Sequence, residues 1–320
     1  MMQNLLNTTA ASLRKAALNQ EAKNYILNIN VLFQVLKRAA DRYIGGETLE
    51  ETLSKVHLQN GLGYRCGIEF MGENTSTTEE ATRATNEFLL ACSAINTDGL
   101  NAALSLDLSH IGLTLSSEFC LENLSLICSA AASNNIEVTI SAEGTEKTDR
   151  VLNTYLAASK VFGNLSITIQ VYLHRSKDDL QEVMKCPGRI RLVKGAFDTP
   201  PGLSLARGEE LNERYLDFLS QLLLKKNKCA IATHDPYIQQ QAKKIITSCH
   251  AEKGQYEFES LYGIQPGQLK QLKDEGHPTK VYFVYGKEWY LYLCNRIAEN
   301  PLSLFTAVND IIDPGNNSLV

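Results

Sequence analysis

The chain has 320 residues, 44% hydrophobic and 21% charged, which is the balance of a globular protein and excludes a disordered one. A net charge of −5, with 31 basic and 36 acidic residues interspersed, provides no basic field for nucleic acid. No apolar run reaches the ~18 residues of a membrane span, and the first residues lack the unbroken apolar stretch of a signal peptide, so a cytoplasmic location without a transmembrane segment is expected.

Residues 1–60 read as a helical arm, with Ile26, Ile29, Leu32, Phe33 and Leu36 recurring at helical spacing. In GGETLEETLSKV (45–56), Thr48 is placed to cap a helix and Glu51 to complete a capping box. Strand-like runs then follow at CGIEFMG (66–72), ALSLDLS (103–109), IEVTISA (136–142), LSITIQVY (165–172), RIRLVKG (189–195), CAIATH (229–234), YEFESLYG (256–263) and KVYFVYG (280–286). Helix-length segments separate them, among them 78–94, 117–133, 146–161, 209–225 and 236–249, with 287–300 as the last. Eight such units predict an α/β fold, a closed (βα)8 TIM-like barrel over residues 61–305. The 1–60 arm is its N-terminal extension, and 306–320 forms a tail. The eight cysteines form no CxxC and no zinc spacing with histidine, so they read as buried free thiols and no metal is expected.

Chemistry in such a barrel sits at the C-terminal ends of the strands. That rule nominates Glu73, Asp107, His110, Ser141, Glu143, Gln170, Lys194, His234, Asp235, Glu259 and Tyr282. Neither a GxGxxG nor a P-loop is present, so a nucleotide cofactor would be held by the barrel itself. For His110 the commoner reading, a loop histidine fixed by hydrogen bonds, outweighs an acid–base role. Trp289, Tyr290 and Tyr292 read as packing residues, and Arg207 as a possible phosphate contact.

Three stretches in order, RLVKGAF (191–197), ATHD (232–235) and FESLYG followed by VYFVYGKEWYLYLCNRIAEN (258–263 and 281–300), resemble proline dehydrogenase. The resemblance runs from about residue 40 to 305 and includes weaker matches at GGETLEETL, FMGEN and QVY. It implies a barrel that binds FAD and passes hydride from the carbon beside an amine nitrogen to the flavin. By that resemblance Gln170, Arg191, Val193, Lys194, Gly195, Ala196, Thr233, His234, Asp235 and Glu259 would bind the cofactor. Arg191, Tyr282 and Arg296 would be catalytic, while Asp107, Ser141, Phe197, Leu261, Asn295 and Glu299 would surround the substrate. The implied partners are an amino-acid or imino-acid substrate, free or carrier-protein-bound, and an electron acceptor such as a quinone, met at the inner face of the membrane.

The carboxylate-binding end departs from the family pattern. The strand-two lysine is Asp107, the strand-three aspartate is Ser141, and the first of two adjacent arginines is Asn295, leaving Arg296. The family's net charge of +2 there becomes 0, or −1 if Glu259 is included. Stranding a buried charge costs about 3–5 kcal/mol, so a free carboxylate is disfavoured. Three readings follow: a dehydrogenase acting on a modified or extra-cationic relative of proline; an ordinary proline or hydroxyproline dehydrogenase with rearranged ion pairs drawing on His110 or Arg175; or an FAD-binding interaction protein without catalysis.

Overall fold

The computed structural model describes residues 19–299 together with Thr8, Ser12 and Lys15; the expected tail at 306–320 lies outside the described residues. Three helices come first: α1 (Gln20–Asn28), α2 (Asn30–Asp41) and α3 (Leu49–Gly61). Eight strands follow, β1 (Arg65–Phe70), β2 (Ala102–Leu106), β3 (Val138–Ile140), β4 (Leu165–Gln170), β5 (Ile190–Val193), β6 (Cys229–Ala232), β7 (Tyr256–Leu261) and β8 (Thr279–Tyr285). They close into a barrel in sequence order, every pair parallel and β1 meeting β8. Between the strands run α4 (Thr78–Thr97), α5 (Ser117–Ala132), α6 (Thr148–Ala158), α7 (Ser176–Val183), α8 (Glu209–Leu224), α9 (Pro236–Ser248) and α10 (Pro266–Asp274); α11 (Trp289–Glu299) follows β8.

Strand alternation divides the barrel into two environments. Cys66 and Ile68 of β1, Leu104 and Leu106 of β2, and Val281 and Phe283 of β8 belong to one apolar core shared with the helices. Each such aliphatic side chain contributes about 1.5–3 kcal/mol by leaving water. The intervening residues face the lumen, and they are polar: Glu69, Ser105, Ser141, Thr168, Arg191, Glu257, Glu259, Lys280 and Tyr282 are all buried. Branched apolar side chains usually fill such a lumen in layers; here ion pairs occupy it.

Local signals set the helix starts. Thr48 and Thr77 each accept from the backbone three residues on while Glu51 and Glu80 reach back, so both α3 and α4 begin with a capping box. Asp235 caps α9 through Tyr237 N and Ile238 N, with Pro236 in the first turn.

The arm is bound to the barrel's closing seam. Ala39, Ala40, Tyr43 and Ile44 form a second buried cluster with Trp289, Tyr290, Leu293 and Ile297 of α11. Trp289 donates to Glu47 Oε1 at 2.7 Å, and its ring meets Phe33 edge-on at 5.5 Å. Gly45 N donates to Val284 O at 2.8 Å, attaching the arm to β8. The thiols are free, six buried and Cys186 and Cys249 partly so.

Candidate active site

A column of charge rises through the lumen. At the N-terminal end of the barrel, Arg65 donates to Glu257 at 3.0 Å and to Glu137 at 3.3 Å, and Arg189 donates to Glu137 at 3.3 Å. Above them Lys280 Nζ lies 2.7 Å from both Glu257 and Glu259. Burial opposes charge on these groups, but their neighbours outweigh it: Lys280 is raised above its ordinary value, and Glu257 and Glu137 are lowered.

Arg191 tops the column and spans the lumen. It donates to Thr168 Oγ1 at 2.8 Å, Ser105 Oγ at 3.2 Å, Glu259 Oε1 at 3.1 Å and Ser141 Oγ at 3.1 Å. Its guanidinium lies 5.0 Å from the Tyr282 ring centroid, within cation–π range. Although burial lowers its pKa, Glu259, Tyr282 and Glu69 raise it overall, so the cation is permanent. Lumen space for the phenol is left by Gly67, where a Cβ would stand 3.1 Å from the Tyr282 ring.

Beside Arg191, Glu69 Oε2 accepts from Ser141 Oγ at 2.6 Å and is contacted closely by the Tyr282 hydroxyl. Burial pushes the Glu69 carboxyl up, against the lowering effect of those hydrogen bonds and Arg191. Glu69 was absent from the expected site. An acid at a lumen-facing position inside CGIEFMG was the available signal, but within a strand it reads as an ordinary alternating polar residue.

At the mouth, Asp107 follows β2 and is pushed well above its ordinary value by burial, then by Glu69, Glu143 and Glu73. Glu143 accepts from Ser109 N at 3.1 Å and pairs with Lys147 at 3.2 Å. These positions correct the charge expected at the substrate end. Asp107 is held toward its neutral form, three further carboxyls join it, and the charge expected from Glu259 is engaged inside the lumen by Lys280 and Arg191. Arg175 is also corrected as a substitute substrate contact, because Asp149 at 2.6 Å and Asp179 at 2.8 Å hold it on the helix side. His110 stacks on Phe70 at 5.1 Å and is pushed down to about 4 by burial, with its buried Nδ1 lacking a hydrogen-bond partner among the described residues.

The expected cofactor residues lie along or just past β4, β5 and β6, except Glu259, which lies within β7. Gln170 Nε2 donates to Glu143 O at 2.9 Å, while its buried Oε1 has no hydrogen-bond partner among the described residues. Ser141, Glu143 and Gln170 line a small cavity of about 40 Å3 between β3, β4 and α6. Gly195 sits at φ +114°, and a Cβ there would overlap the Tyr172 ring. Val193 is partly buried and Ala196 exposed, while Gly195 is buried under the Tyr172 ring. Lys194 pairs with Asp235 at 2.5 Å and donates to Asn212 Oδ1 at 2.7 Å. Arg207 donates to Gly195 O. Thr233 Oγ1 accepts from Asp235 N at 3.1 Å. His234 Nε2 accepts from Leu261 N at 3.0 Å, and burial with nearby Arg296 pushes the ring down to about 4. The unpaired Gln170 oxygen and the fixed cation of Arg191 suit an electron-rich, hydrogen-bonding ring.

Arg296 lies 5.0 Å over the Tyr292 ring on α11, beside half-buried Asn295. The side chain of Glu299 lies outside the described residues. Phe197 O accepts from Tyr172 Oη at 3.0 Å, turning the segment after β5 back toward β4.

Residues 52–305 match the family model described as proline dehydrogenase. "Proline dehydrogenase 1" of Bacillus subtilis (strain 168) is 33% identical over 275 residues, 85% of this chain and 90% of that one. "Proline dehydrogenase" of Deinococcus radiodurans is 27% identical over 84% of this chain and 88% of its own length. Among solved structures, proline utilization A from Bdellovibrio bacteriovorus, inactivated by N-propargylglycine, superposes with a TM-score of 0.80 at 18% identity. That superposition takes in 92% of this chain but 36% of the larger one, and shows the shared fold.

Proposed function

The chain belongs to the proline dehydrogenase family, and from that premise we propose that it is an FAD-dependent dehydrogenase oxidising the C–N bond of proline or a proline-like amine. The observation that carries this reading is Arg191, held in the lumen by four side-chain hydrogen bonds and set beside Tyr282. FAD supplies a two-electron acceptor when bound. Gln170, Val193, Lys194, Gly195, Ala196, Thr233 and His234 border it, with Asp235 fixing Lys194 and Glu259 fixing Arg191. The fixed cation is preorganised to stabilise negative charge that develops during hydride transfer, without rearrangement. Tyr282, Leu261, Phe197 and Arg296 enclose the amine, and Arg296 takes the carboxylate.

Asp107, Ser141 and Asn295 favour a second reading for the substrate. Asp107, crowded by Glu69, Glu73 and Glu143, puts no cation where the resemblance implies a lysine, so that side of the mouth gives a free carboxylate no ion pair. An amide, an ester, a carrier-bound prolyl group or a proline analogue with an added cation fits it better. The two electrons then leave to an acceptor, which we assign to a quinone met at the inner membrane face from the cytoplasm; among the described residues no helix is long and apolar enough to cross a membrane.

Anaerobic mixing of FAD-loaded protein with L-proline tests the assignment through bleaching of the flavin absorbance. Bleaching at millimolar L-proline establishes the ordinary substrate. Bleaching only by prolinamide, proline esters or amino-substituted prolines establishes the altered one. No bleaching by any of these overturns the catalytic reading.

A further inference from the structure

We infer that Glu69 receives the proton that the substrate ammonium gives up, relayed through the hydroxyl of Tyr282. This rests on the amine-oxidising reading above. A secondary ammonium has no free lone pair, so its nitrogen must lose a proton before hydride can leave the adjacent carbon. The groups around the lumen narrow the acceptors. His234 Nε2 is already taken by Leu261 N, so in the neutral ring its other nitrogen carries the proton. His110 keeps a buried Nδ1 without a hydrogen-bond partner among the described residues, but it is walled in by Phe70 and Phe88 and its Nε2 is shielded at Gly72. Glu143 is engaged by Lys147 and Ser109 N, Glu259 by Lys280 and Arg191, and Asp235 by Lys194.

Glu69 is connected differently. Two hydroxyls meet its Oε2, and Ser141 Oγ and the Tyr282 hydroxyl are themselves 3.5 Å apart. Arg191 holds Ser141 from the other side and faces the phenol ring. In the transfer, one N–H bond of the ammonium breaks and an O–H bond forms on the phenol oxygen. The phenol's own proton passes to Glu69 Oε2, so the phenol is regenerated, the carboxyl becomes neutral and no electrons move. Other charged groups facing Glu69 are Arg191 from β5, Glu143 beyond β3 and Asp107 beyond β2, with Glu73 and Lys147 around them. Burial raises the carboxyl from its ordinary value, toward the range in which a general base exchanges protons efficiently near neutral pH.

Glu69 acts through Tyr282, so the test needs readouts that a packing role does not move. The rate of flavin reduction in a single turnover is followed against pH in wild type, Glu69→Gln, Glu69→Asp, Tyr282→Phe and Asp107→Asn. The expected wild-type profile falls on the acid side, where Glu69 is already protonated. In Glu69→Gln the rate drops by about 100-fold and that acid limb disappears, while Glu69→Asp restores the limb and part of the rate. Tyr282→Phe keeps the carboxyl but slows reduction at least about 10-fold and loses the solvent deuterium isotope effect. Infrared spectra of the protein without cofactor give a second measure: a protonated-carboxyl C=O band titrates in wild type and is missing in Glu69→Gln. Glu69→Gln with the acid limb intact, or loss of the limb in Asp107→Asn instead, overturns the inference. If Glu69→Gln fails to bind FAD, Tyr282→Phe decides, and a wild-type rate in it overturns the relay. A wild type that no cyclic amine reduces overturns the catalytic reading and this inference together, whereas a reducible wild type with unaltered Glu69→Gln overturns only the relay.

Discussion

Lys280 Nζ and Glu259 Oε2 lie 2.7 Å apart inside the closed barrel, with side-chain exposures of 2% and 5%. The same ammonium is 2.7 Å from Glu257, so one cation serves two buried carboxyls. Lys280→Met takes one cation from each, leaving Arg65 to Glu257 and Arg191 to Glu259. Breaking a buried pair by removing one partner costs about 3–5 kcal/mol, and the loss is expected in urea unfolding. Lys280→Met/Glu259→Gln recovers part of it, because one under-paired carboxyl is removed; the double-mutant cycle measures the coupling. The pH dependence has a definite sign. Lys280 is raised in the fold, so its contribution is complete below 10.5 and is lost as pH rises through its folded value. Glu257 and Glu137 are lowered, so theirs are present above 4.5 and are lost as pH falls.

Arg191→Lys keeps a charge but not the planar fork that reaches Thr168, Ser105, Glu259 and Ser141 together. A single ammonium cannot hold those four oxygens and stay aligned on the Tyr282 ring. Flavin reduction is expected to slow by roughly 100-fold, the scale of losing one preorganised charge-stabilising donor. Stopped-flow reduction under saturating amine checks this, and retained flavin absorbance shows that cofactor loading survived.

Asp107 makes the opposite pH prediction from Glu257. Its folded value is raised above 3.8, so the fold favours the neutral carboxyl. The associated stability is complete below 3.8 and lost as pH rises through the folded value. Asp107→Asn removes that loss. The variant and wild type are expected to melt together at acid pH and to diverge above it, with the variant higher by about 2–4 °C for each kcal/mol relieved. Melting curves between pH 4 and pH 8, run on protein without substrate, measure the divergence.

These two predictions separate what the sequence could show from what it could not. All eight strand runs carried an outward apolar face, so the barrel and its order were legible from spacing and alternation alone. Helices α7, with its polar SKDDLQEV, and α10, with PGQLKQLKD, gave no comparable signal, because neither buries a broad apolar stripe. The residues of RLVKGA were readable through resemblance, but the partners of Arg191 were not. Thr168, Ser105, Ser141 and Glu259 come from four different strands and meet only when the barrel closes. Glu69 was hidden for the same reason: its chemistry depends on Tyr282, 213 residues away, and on burial that no local pattern records.

Trp289 links the arm to the catalytic helix, and its removal is expected to affect both. The indole is 1% exposed, meets Phe33 edge-on at 5.5 Å and donates to Glu47 at 2.7 Å. Trp289→Ala creates a cavity and frees a partly buried acceptor, a loss of about 3–5 kcal/mol. Since Asn295 and Arg296 lie on the same helix, a loosened α11 no longer fixes the guanidinium at the substrate end. Most of the residues proposed to bind the cofactor sit at the ends of β4, β5 and β6, with His234 near Arg296 of α11. The expected signature is therefore a lower melting temperature and a raised KM for the reducing amine, with the bound-flavin spectrum unchanged. Equal losses of flavin and of substrate affinity would instead mean that the arm supports the whole barrel rather than this helix.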